Sequence, residues 1–299
     1  MSENFENHRL RSLLWIVKQL EEGPLSLMEL NKRWVRDVGI SGGEEIERRT
    51  FNNYIHAIDD LLGISIECNR KNKYRYEIVG RERSSLSKWM LTNFEQQLAL
   101  ERGFVLKDRI LMEEPPRGHE FLRMLVDAMT TSRMVRFVFK DFNDDEPFEV
   151  EGAPYALKVF LQRWYVVIND DLGCTPFSLD RITEMELMDK SFEMDPGFDA
   201  KEYFKYCFGI RVNETAKPSK VLLKIAAFQR DYIRHLKLHH TQKELETYED
   251  YSIFELTVVP TIELTMKLLS MGYLVEVLAP EQLRKTMEIE SKRLYDVYH

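Results

Sequence analysis

The stretch Leu161-Gln162-Arg163-Trp164-Tyr165-Val166-Val167-Ile168 decides the fold of the middle of this chain. It is an apolar run typical of a β-strand, and a Trp-Tyr pair stands near its start. Shortly after it, Phe177-Ser178-Leu179-Asp180-Arg181-Ile182 places an Asp-Arg pair between apolar residues. Because successive side chains of a strand point to opposite faces of a sheet, Trp164 and Tyr165 face opposite sides, and we expect Trp164 in the core.

Further short strands surround this stretch. The alternation of apolar and polar residues predicts them at 135–139, 148–151, 155–160, 175–178 and 182–187. Residues 133–195 are therefore expected to form one domain. Short strands at such close spacing favour a small closed or half-open sheet.

The Trp164-Tyr165-Val166 run and the Asp180-Arg181 pair resemble the signature of the WYL-domain family of bacterial transcriptional regulators. The resemblance implies a small Sm-like β-barrel here, a DNA-binding head in front of it and a C-terminal WCX extension behind it. It further implies that the barrel senses a nucleotide or a short oligonucleotide. It points to regulation rather than catalysis.

The resemblance assigns the candidate ligand-binding residues by position. Tyr165 and Arg181 match the sensing positions best. Their chemistry suits a nucleotide, because an aromatic ring offers a face to a base and an arginine offers two parallel hydrogen bonds to a phosphate. Weaker candidates on the same strands are Arg163, Lys158, Tyr155 and Ser178. The alternative for Asp180-Arg181 is a purely structural ion pair. Thr175 and Ser178 stand where the family often has basic residues, and Tyr155 follows Pro154 where it tends to have a polar one, so the pocket is less basic than usual.

Residues 1–83 have the pattern of a helical head that ends in a hairpin. Helical spacing of apolar residues predicts helices over 9–22 and about 44–62, and Ser26 to Glu29 reads as a capping box that opens another helix between them. Gly63 stands where a C-terminal glycine belongs. Two alternating segments, 64–68 and 74–78, flank a polar turn and predict a hairpin. This order is typical of a winged helix-turn-helix.

The candidate DNA-binding side chains lie on the last helix of this head and at the hairpin tip. Arginine reads guanine edges, asparagine reads adenine edges, and wing-tip cations contact phosphates. The helix supplies Arg48, Arg49, Thr50, Asn52, Asn53 and His56, and the tip supplies Arg70, Lys71 and Lys73. The alternative is a solvated helix face and turn. Arg49-Thr50 matches the family start of this helix, but Asn53-Tyr54 replaces the Arg-Asp pair that often follows.

The distribution of charge supports a DNA-binding head on an acidic protein. The formal net charge of the chain is -8, yet residues 1–83 hold 14 basic and 14 acidic side chains. Within 48–83 there are 8 basic and 5 acidic residues. The negative excess therefore lies outside the head, and the head keeps a locally basic segment.

The remaining segments are expected to be a helical connector over 84–132 and an α+β extension over 196–299. The connector pattern predicts helices at 86–111 and 119–132. The tail reads as alternating strands and helices from Val221, with room for one more strand near 239–248. We expect a ferredoxin-like arrangement there.

Several classes of function are not indicated. The three cysteines are far apart in sequence and odd in number, so reduced, buried thiols in a cytoplasmic protein are expected. No secretory signal or membrane span is predicted, and no catalytic or dinucleotide motif is found. The spacing of His235, His239 and His240 suits a metal, but nearby acidic or cysteine ligands at matching spacing are lacking, so no metal or cofactor is expected.

The sequence as a whole predicts an α+β, non-enzymatic, homodimeric regulator. It binds double-stranded DNA through the head and a small anionic effector in the barrel. The alternative is an accessory nucleic-acid sensor that modulates a partner enzyme without reading an operator.

Overall fold

The computed structural model describes residues 2–79, 88–93, 96, 100, 108–111, 118–142, 146–213 and 215–299. The chain divides into two compact units, Met1–Glu113 and Glu114–His299. None of the helices in these described ranges is both long and apolar enough to cross a membrane.

The first unit consists of helices followed by a two-stranded hairpin. Its elements are α1 (Ser2–Glu21), α2 (Leu27–Trp34), α3 (Val38–Ser41), α4 (Arg48–Leu62), β1 (Ile66–Asn69) and β2 (Arg75–Ile78). The predicted capping box is present, since the Ser26 hydroxyl accepts from the Glu29 backbone and the Glu29 carboxylate accepts from Ser26. Gly63 ends α4 in the left-handed conformation.

The segment that precedes α2 links the hairpin to the helices by backbone hydrogen bonds. The strands β1 and β2 pair antiparallel, with Cys68 opposite Tyr76. Leu25 and Tyr76 exchange two backbone hydrogen bonds, of 3.1 and 2.8 Å, so that this segment lies along β2. A core cluster of residues from α1, α2, α4 and the hairpin buries Leu13, Ile16 and Phe51 among others. The hairpin is thus part of the packed unit.

Two predictions for this half of the chain need correction. The helix expected from residue 44 begins only at Arg48, because the side chain of Asn31 binds the backbone of Ile46 and holds the preceding segment extended. Cys68 on β1 is exposed and not buried as expected. The predicted connector helix over 86–111 falls mostly outside the described residues, although 88–93 are helical.

The second unit contains two antiparallel sheets. The first follows α5 (Leu122–Thr130) and is built from β3 (Arg133–Phe139), β4 (Phe148–Phe160), β5 (Arg163–Asp170), β6 (Gly173–Ser178) and β7 (Ile182–Ser191). The second is built from β8 (Ser219–Ala226), β9 (Lys243–Thr247), β10 (Tyr251–Val258) and β11 (Val275–Ala279). Its helices are α7 (Ala227–His235), α8 (Ile262–Leu269) and α9 (Glu281–Tyr298), and α6 (Ala200–Tyr203) precedes it.

The first sheet has the strand order β6-β5-β4-β3-β7 and is open. The two strands predicted at 148–151 and 155–160 are one long strand, β4, whose first half pairs with β3 and whose second half pairs with β5. The register shifts between Pro154 and Ala156, where a proline without an N–H is tolerated. The expected closed barrel is not formed, because β6 and β7 are opposite edges joined by a 3-10 turn, Leu179–Arg181, and do not pair.

The second sheet has the strand order β11-β8-β10-β9. From β8 onward the elements alternate as strand, helix, strand, strand, helix, strand, helix, and β9 is the additional strand expected near 239–248. Along β8 and β10 every second residue is buried, which places Val221, Leu223 and Phe254 in the core of this layer.

Candidate functional site

In the first unit, the predicted base-contacting side chains of α4 lie on its outer surface. Arg48, Arg49, Asn52, Asn53 and His56 are exposed, and Thr50 is half-buried. The opposite side of α4 is fixed by Phe51 and Ile58, both with 0% exposure. Phe51 packs edge-on against Tyr76 of β2, with 4.8 Å between ring centroids. The core packing therefore determines which side of α4 faces the solvent.

The exposed residues of α4 fall into two groups. Thr50, Asn53 and His56 line a groove of about 460 Å³ together with His8 and Arg9 of α1, whereas Arg48, Arg49 and Asn52 lie outside it. Arg9 is not among the DNA-binding residues predicted from the sequence. In the sequence it is only a basic residue on another helix, and the tertiary packing brings it beside α4.

The hairpin tip carries three exposed cations. Arg70, Lys71 and Lys73 follow one another in the turn between β1 and β2. The Asn69 side-chain oxygen accepts from the backbone N–H groups of residues 71 and 72, each at 3.1 Å, which fixes the turn. In the described part of the chain, no carboxylate forms an ion pair with these three cations or with the two arginines of α4. All five are therefore available to an anionic partner.

In the second unit, the predicted alternation of β5 is confirmed. Trp164 packs against the hydrophobic core of the first sheet, beside the fully buried Val166. Tyr165 lies on the opposite face, where it pairs in register with Lys158 of β4 and Ser178 of β6. The motif tyrosine thus belongs to a row of polar side chains across three strands.

Both motif arginines are engaged by carboxylates. Arg163 forms a hydrogen-bonded ion pair with Asp180, in which its Nε lies 3.1 Å from Oδ2, and this partner raises the pKa of Arg163. Arg181 donates to Asp141 at 2.6 Å and to the Lys140 carbonyl at 2.9 Å. The aromatic rings of Phe139 and Phe142 lie 4.6 and 4.2 Å from its guanidinium carbon.

Four of the six predicted ligand-binding residues line one groove, which we call the motif groove. This groove has a volume of about 590 Å³ and is lined by Tyr165, Arg163, Ser178 and Arg181. The buried Ser178 Oγ and Asp180 Oδ1 have no hydrogen-bond partner in the described part of the chain. Burial raises the pKa of Tyr165, so its hydroxyl keeps its proton at neutral pH. Ser178 lines the groove but Asp180 does not, so the groove offers an aromatic face and the unpartnered Ser178 hydroxyl to a ligand.

Residues from beyond the first sheet complete the motif groove. Ile210, Arg211 and Glu263 contribute to its lining. The Glu263 carboxylate accepts from the backbone N–H groups of Ile210 and Arg211, each at 3.1 Å. No local pattern marks these residues, which are at least 45 positions from Tyr165 in sequence.

Acidic residues outnumber cations around the motif groove. Its lining includes three arginines, Arg163, Arg181 and Arg211, and five carboxylates. These are Asp141, Glu149, Glu151, Asp170 and Glu263. The pocket is thus even less basic than the sequence indicated, and an anion that enters it has to compete with the acidic partners of the arginines.

The remaining two candidates lie elsewhere. Tyr155 is buried against Phe192 and Phe198, and its hydroxyl accepts from the Asp195 backbone at 3.3 Å. Lys158 is in register with Tyr165, but its Nζ donates to the carbonyl of Gly209 at 2.6 Å. Neither belongs to the lining of the motif groove.

Two of the three histidines considered as metal ligands form local hydrogen bonds. His235 Nδ1 contacts the Asp231 carbonyl at 2.7 Å, and His239 Nδ1 contacts the Thr241 hydroxyl at 2.8 Å. Across the residues that the structure describes, no group of three or more His, Cys, Asp or Glu side chains is arranged to hold a metal ion.

Comparison with known proteins finds two domain families in this chain. A family model described as "WYL domain" matches residues 120–187, and one described as "WCX domain" matches residues 217–295. No curated protein matches the sequence. The match at 120–187 covers the first sheet with its motif groove, and the match at 217–295 covers nearly all of the second sheet with its helices.

Solved structures give weak similarities. One is proteasome accessory factor B/C (PafBC) of Arthrobacter aurescens, with 18% identity and a TM-score of 0.38, over 94% of this chain and 45% of that chain. Another is a CRISPR Cas-related protein, with 11% identity and a TM-score of 0.36, over 85% of this chain and 74% of that chain. This chain thus spans less than half the length of the first.

The motif residues on β5, the groove they line and the two matched domain models agree with one another, and the chain therefore contains a WYL domain over residues 120–187 and a WCX domain over residues 217–295.

Proposed function

We propose that this protein is a ligand-responsive, DNA-binding transcriptional regulator of the cytoplasm, without catalytic activity. The observation that carries the proposal is the surface of the first unit. There, two exposed arginines and two exposed asparagines on α4 accompany three exposed cations at the hairpin tip, and none of these five cations has a carboxylate partner among the described residues. Arginine and asparagine are the side chains that read guanine and adenine edges, and tip cations suit phosphates.

In this proposal the first unit acts as a winged helix-turn-helix. Helix α4 enters the major groove of double-stranded DNA, with Arg48, Arg49 and Asn52 directed at the bases. The wing, Arg70 to Lys73, contacts the backbone and sets the register of the helix without reading sequence. Thr50, Asn53, His56 and Arg9 border the same surface and contribute contacts at its side.

The motif groove is proposed as the effector site, and the effector as a nucleotide or a short oligonucleotide. A base stacks on the ring of Tyr165 and satisfies the unpartnered hydroxyl of Ser178. A phosphate near Arg181 has to displace Asp141 from the guanidinium. This exchange of one partner for another gives the ligand a direct effect on the turn between β6 and β7.

We further propose that the protein acts as a homodimer and that residues 196–299 form a ferredoxin-like extension. The strand-helix-strand-strand-helix-strand order from β8 supports that assignment. Support for a dimer comes from α9, on which Ile289, Leu294, Val297 and Tyr298 are all more than half exposed. Two heads held by one dimer would read an inverted repeat, and ligand binding would change their relative placement.

An accessory nucleic-acid sensor that modulates a partner enzyme is the second candidate. The observation that favours it is the groove beside α1. Thr50, Asn53 and His56 line this groove, so fewer side chains of α4 project freely towards a duplex. Such a protein would bind nucleic acid through its cations without preference for sequence.

The proposed role of the wing is tested by fluorescence anisotropy with the full chain and a labelled random duplex, between about 50 and 200 mM salt. A triple alanine variant of Arg70, Lys71 and Lys73 should weaken binding and reduce the slope of log affinity against log salt by about two to three. The matched control replaces Lys220, Lys243 and Lys285 of the second unit and should leave the slope unchanged. Equal slopes for the two variants would show that the wing does not contact the DNA.

A further inference from the structure

A second cleft in the Glu114–His299 unit differs sharply in charge from the motif groove. We call it the lysine cleft. It has a volume of about 670 Å³ and lies between β4, the segment 201–209 and the turn that follows α7. Its charged lining consists of four lysines and one glutamate, Lys158, Lys201, Lys205, Lys237 and Glu202, and two histidines, His239 and His240, complete the polar part. The motif groove, in contrast, holds more carboxylates than cations.

Only one of the lysines of this cleft has an acidic partner in the described part of the chain. Lys205 pairs with Glu202 at 2.9 Å, an exposed pair one helical turn apart. Lys201 and Lys237 are exposed, and no carboxylate of a described residue lies within 4.0 Å of their amines. Several lysines lie close together on this surface, and only Lys205 has a carboxylate partner among the described residues. An anion that enters the cleft is therefore attracted by several lysines at once.

Lys158 places a charge at the inner wall of the lysine cleft. Its amine donates to the Gly209 carbonyl at 2.6 Å and lies 3.8 Å from the centroid of the Phe204 ring. Burial lowers the pKa of this amine, because the surroundings replace little of the hydration that it has lost. A carbonyl and a ring face are weak substitutes for a counter-ion. An anion beside Lys158 would supply the missing charge.

The histidine pair reports the same positive environment. The rings of His239 and His240 are in contact, with 4.1 Å between their centroids and an angle of 43° between their planes. The pKa of His239 falls to about 4, mainly through burial and then through the nearby positive charges of His240 and Lys158. His239 is therefore neutral at physiological pH and adds no charge of its own.

We propose that the lysine cleft binds a small anion that carries two or more phosphate groups. Lysine amines act as point charges that bind phosphate oxygens, and several of them around one cleft suit an anion that carries several charges. The volume of the cleft is in the range of small-molecule sites. The site is formed by Lys158 from the WYL match, Lys237 to His240 from the WCX match, and the segment between them. It goes beyond the proposed function, because binding here does not require that the protein reads DNA.

The test is calorimetric titration of the full chain with inorganic tripolyphosphate and, separately, with adenosine triphosphate, each against sodium sulfate at equal ionic strength. Two variants remove the site: Lys158→Met, which keeps the buried stem, and the double variant Lys201→Ala with Lys237→Ala, which changes only exposed residues. Each should weaken tripolyphosphate binding at least about tenfold, because a hydrogen bond to a charged group is lost. The control Lys220→Ala should bind like the wild type.

The motif groove provides the opposing variant. Arg181→Ala should leave tripolyphosphate binding unchanged, since Arg181 does not line the lysine cleft. Tighter binding of the nucleotide than of tripolyphosphate would indicate that the aromatic rings of the cleft accept a base. The proposal is overturned if tripolyphosphate binds no better than sulfate, or if Arg181→Ala abolishes binding while the lysine variants retain it.

Discussion

Arg163 and Asp180 form an ion pair across the groove face of the WYL domain, although Asp180 is the direct neighbour of Arg181 in sequence. The Nε of Arg163 lies 3.1 Å from the Asp180 carboxylate, and Arg181 is bound instead by Asp141 at 2.6 Å. Asp180 and Arg181 therefore do not form an ion pair with each other. Each of the two side chains links the 3-10 turn Leu179–Arg181 to another segment. Asp180 binds Arg163 of β5, and Arg181 binds Asp141, which follows β3.

Replacing Arg163 should destabilise the second unit. The side chain of Asp180 is 18% exposed and that of Arg163 34%, so removal of the arginine leaves a largely buried carboxylate without its cation. Arg163→Met should lower the free energy of unfolding by about 1–3 kcal/mol in a urea titration. Lys190→Ala, which breaks an exposed pair with Glu151, should change it by less than about 1 kcal/mol. Equal effects of the two substitutions would contradict the structural role of Arg163.

Gly209 separates the motif groove from the lysine cleft, and its replacement should be costly. Its φ of +92° is unfavourable for other residues, and a Cβ there would lie 2.6 Å from the carboxylate of Glu263. Gly173 has a φ of +106° with open space around it and serves as the matched control. Both alanine variants should lose stability through strain, by about 1 kcal/mol or more.

The difference between the two glycine variants measures the steric contact. Thermal unfolding should show Gly209→Ala to be less stable than Gly173→Ala, because Glu263 has to release the backbone of Ile210 and Arg211 to make room. Equal losses would mean that Glu263 moves freely and does not hold the segment.

The second unit should lose stability in acid through Glu244. Hydrogen bonds from Arg234 lower the pKa of this carboxyl from 4.5 to about 2. A carboxylate with a depressed pKa contributes stability above the unfolded value of 4.5, and that contribution disappears as the pH falls towards 2. Urea titrations between about pH 6 and pH 3 should therefore show wild type and Glu244→Gln converging as the pH falls. A constant difference across this range would be evidence against the linkage.

Asn31 should control the position of α4 without touching DNA. It is 8% exposed, donates to the Ile46 carbonyl at 3.1 Å and accepts from the Ile46 N–H at 2.9 Å. Asn31→Ala leaves both backbone groups unsatisfied and should cost about 2–3 kcal/mol in urea unfolding. It should also weaken duplex binding under conditions in which the variant is still folded. The exposed neighbour Lys32→Ala should change stability by no more than about 0.5 kcal/mol.

The elements of the fold were largely predictable from local patterns. The capping box at Ser26, the left-handed Gly63 and the alternation of Trp164 and Tyr165 each depend on residues that are close in sequence. The missed features depend on distant ones. Strand β4 continues through Pro154 because two different strands pair with its halves, which no local pattern reveals.

The candidate sites were predictable only in part, for the same reason. Tyr165, Arg163 and Ser178 share a face because strands alternate and pair in register, and this was accessible from the sequence. The partner of Arg181 is 40 residues away and that of Asp180 is 17 residues away. The lysine cleft draws on three separated segments. Such arrangements arise from tertiary packing.

The central claim, that the protein reads an operator, is tested most directly by selection of random duplex DNA with the full chain at two salt concentrations. An operator-reading dimer should enrich an inverted-repeat motif that persists at the higher salt, and Arg49→Ala should relax the preference at one position of each half-site. Weak binding that vanishes with salt and leaves no motif would contradict the claim, and it would favour an accessory sensor that contacts only the nucleic-acid backbone.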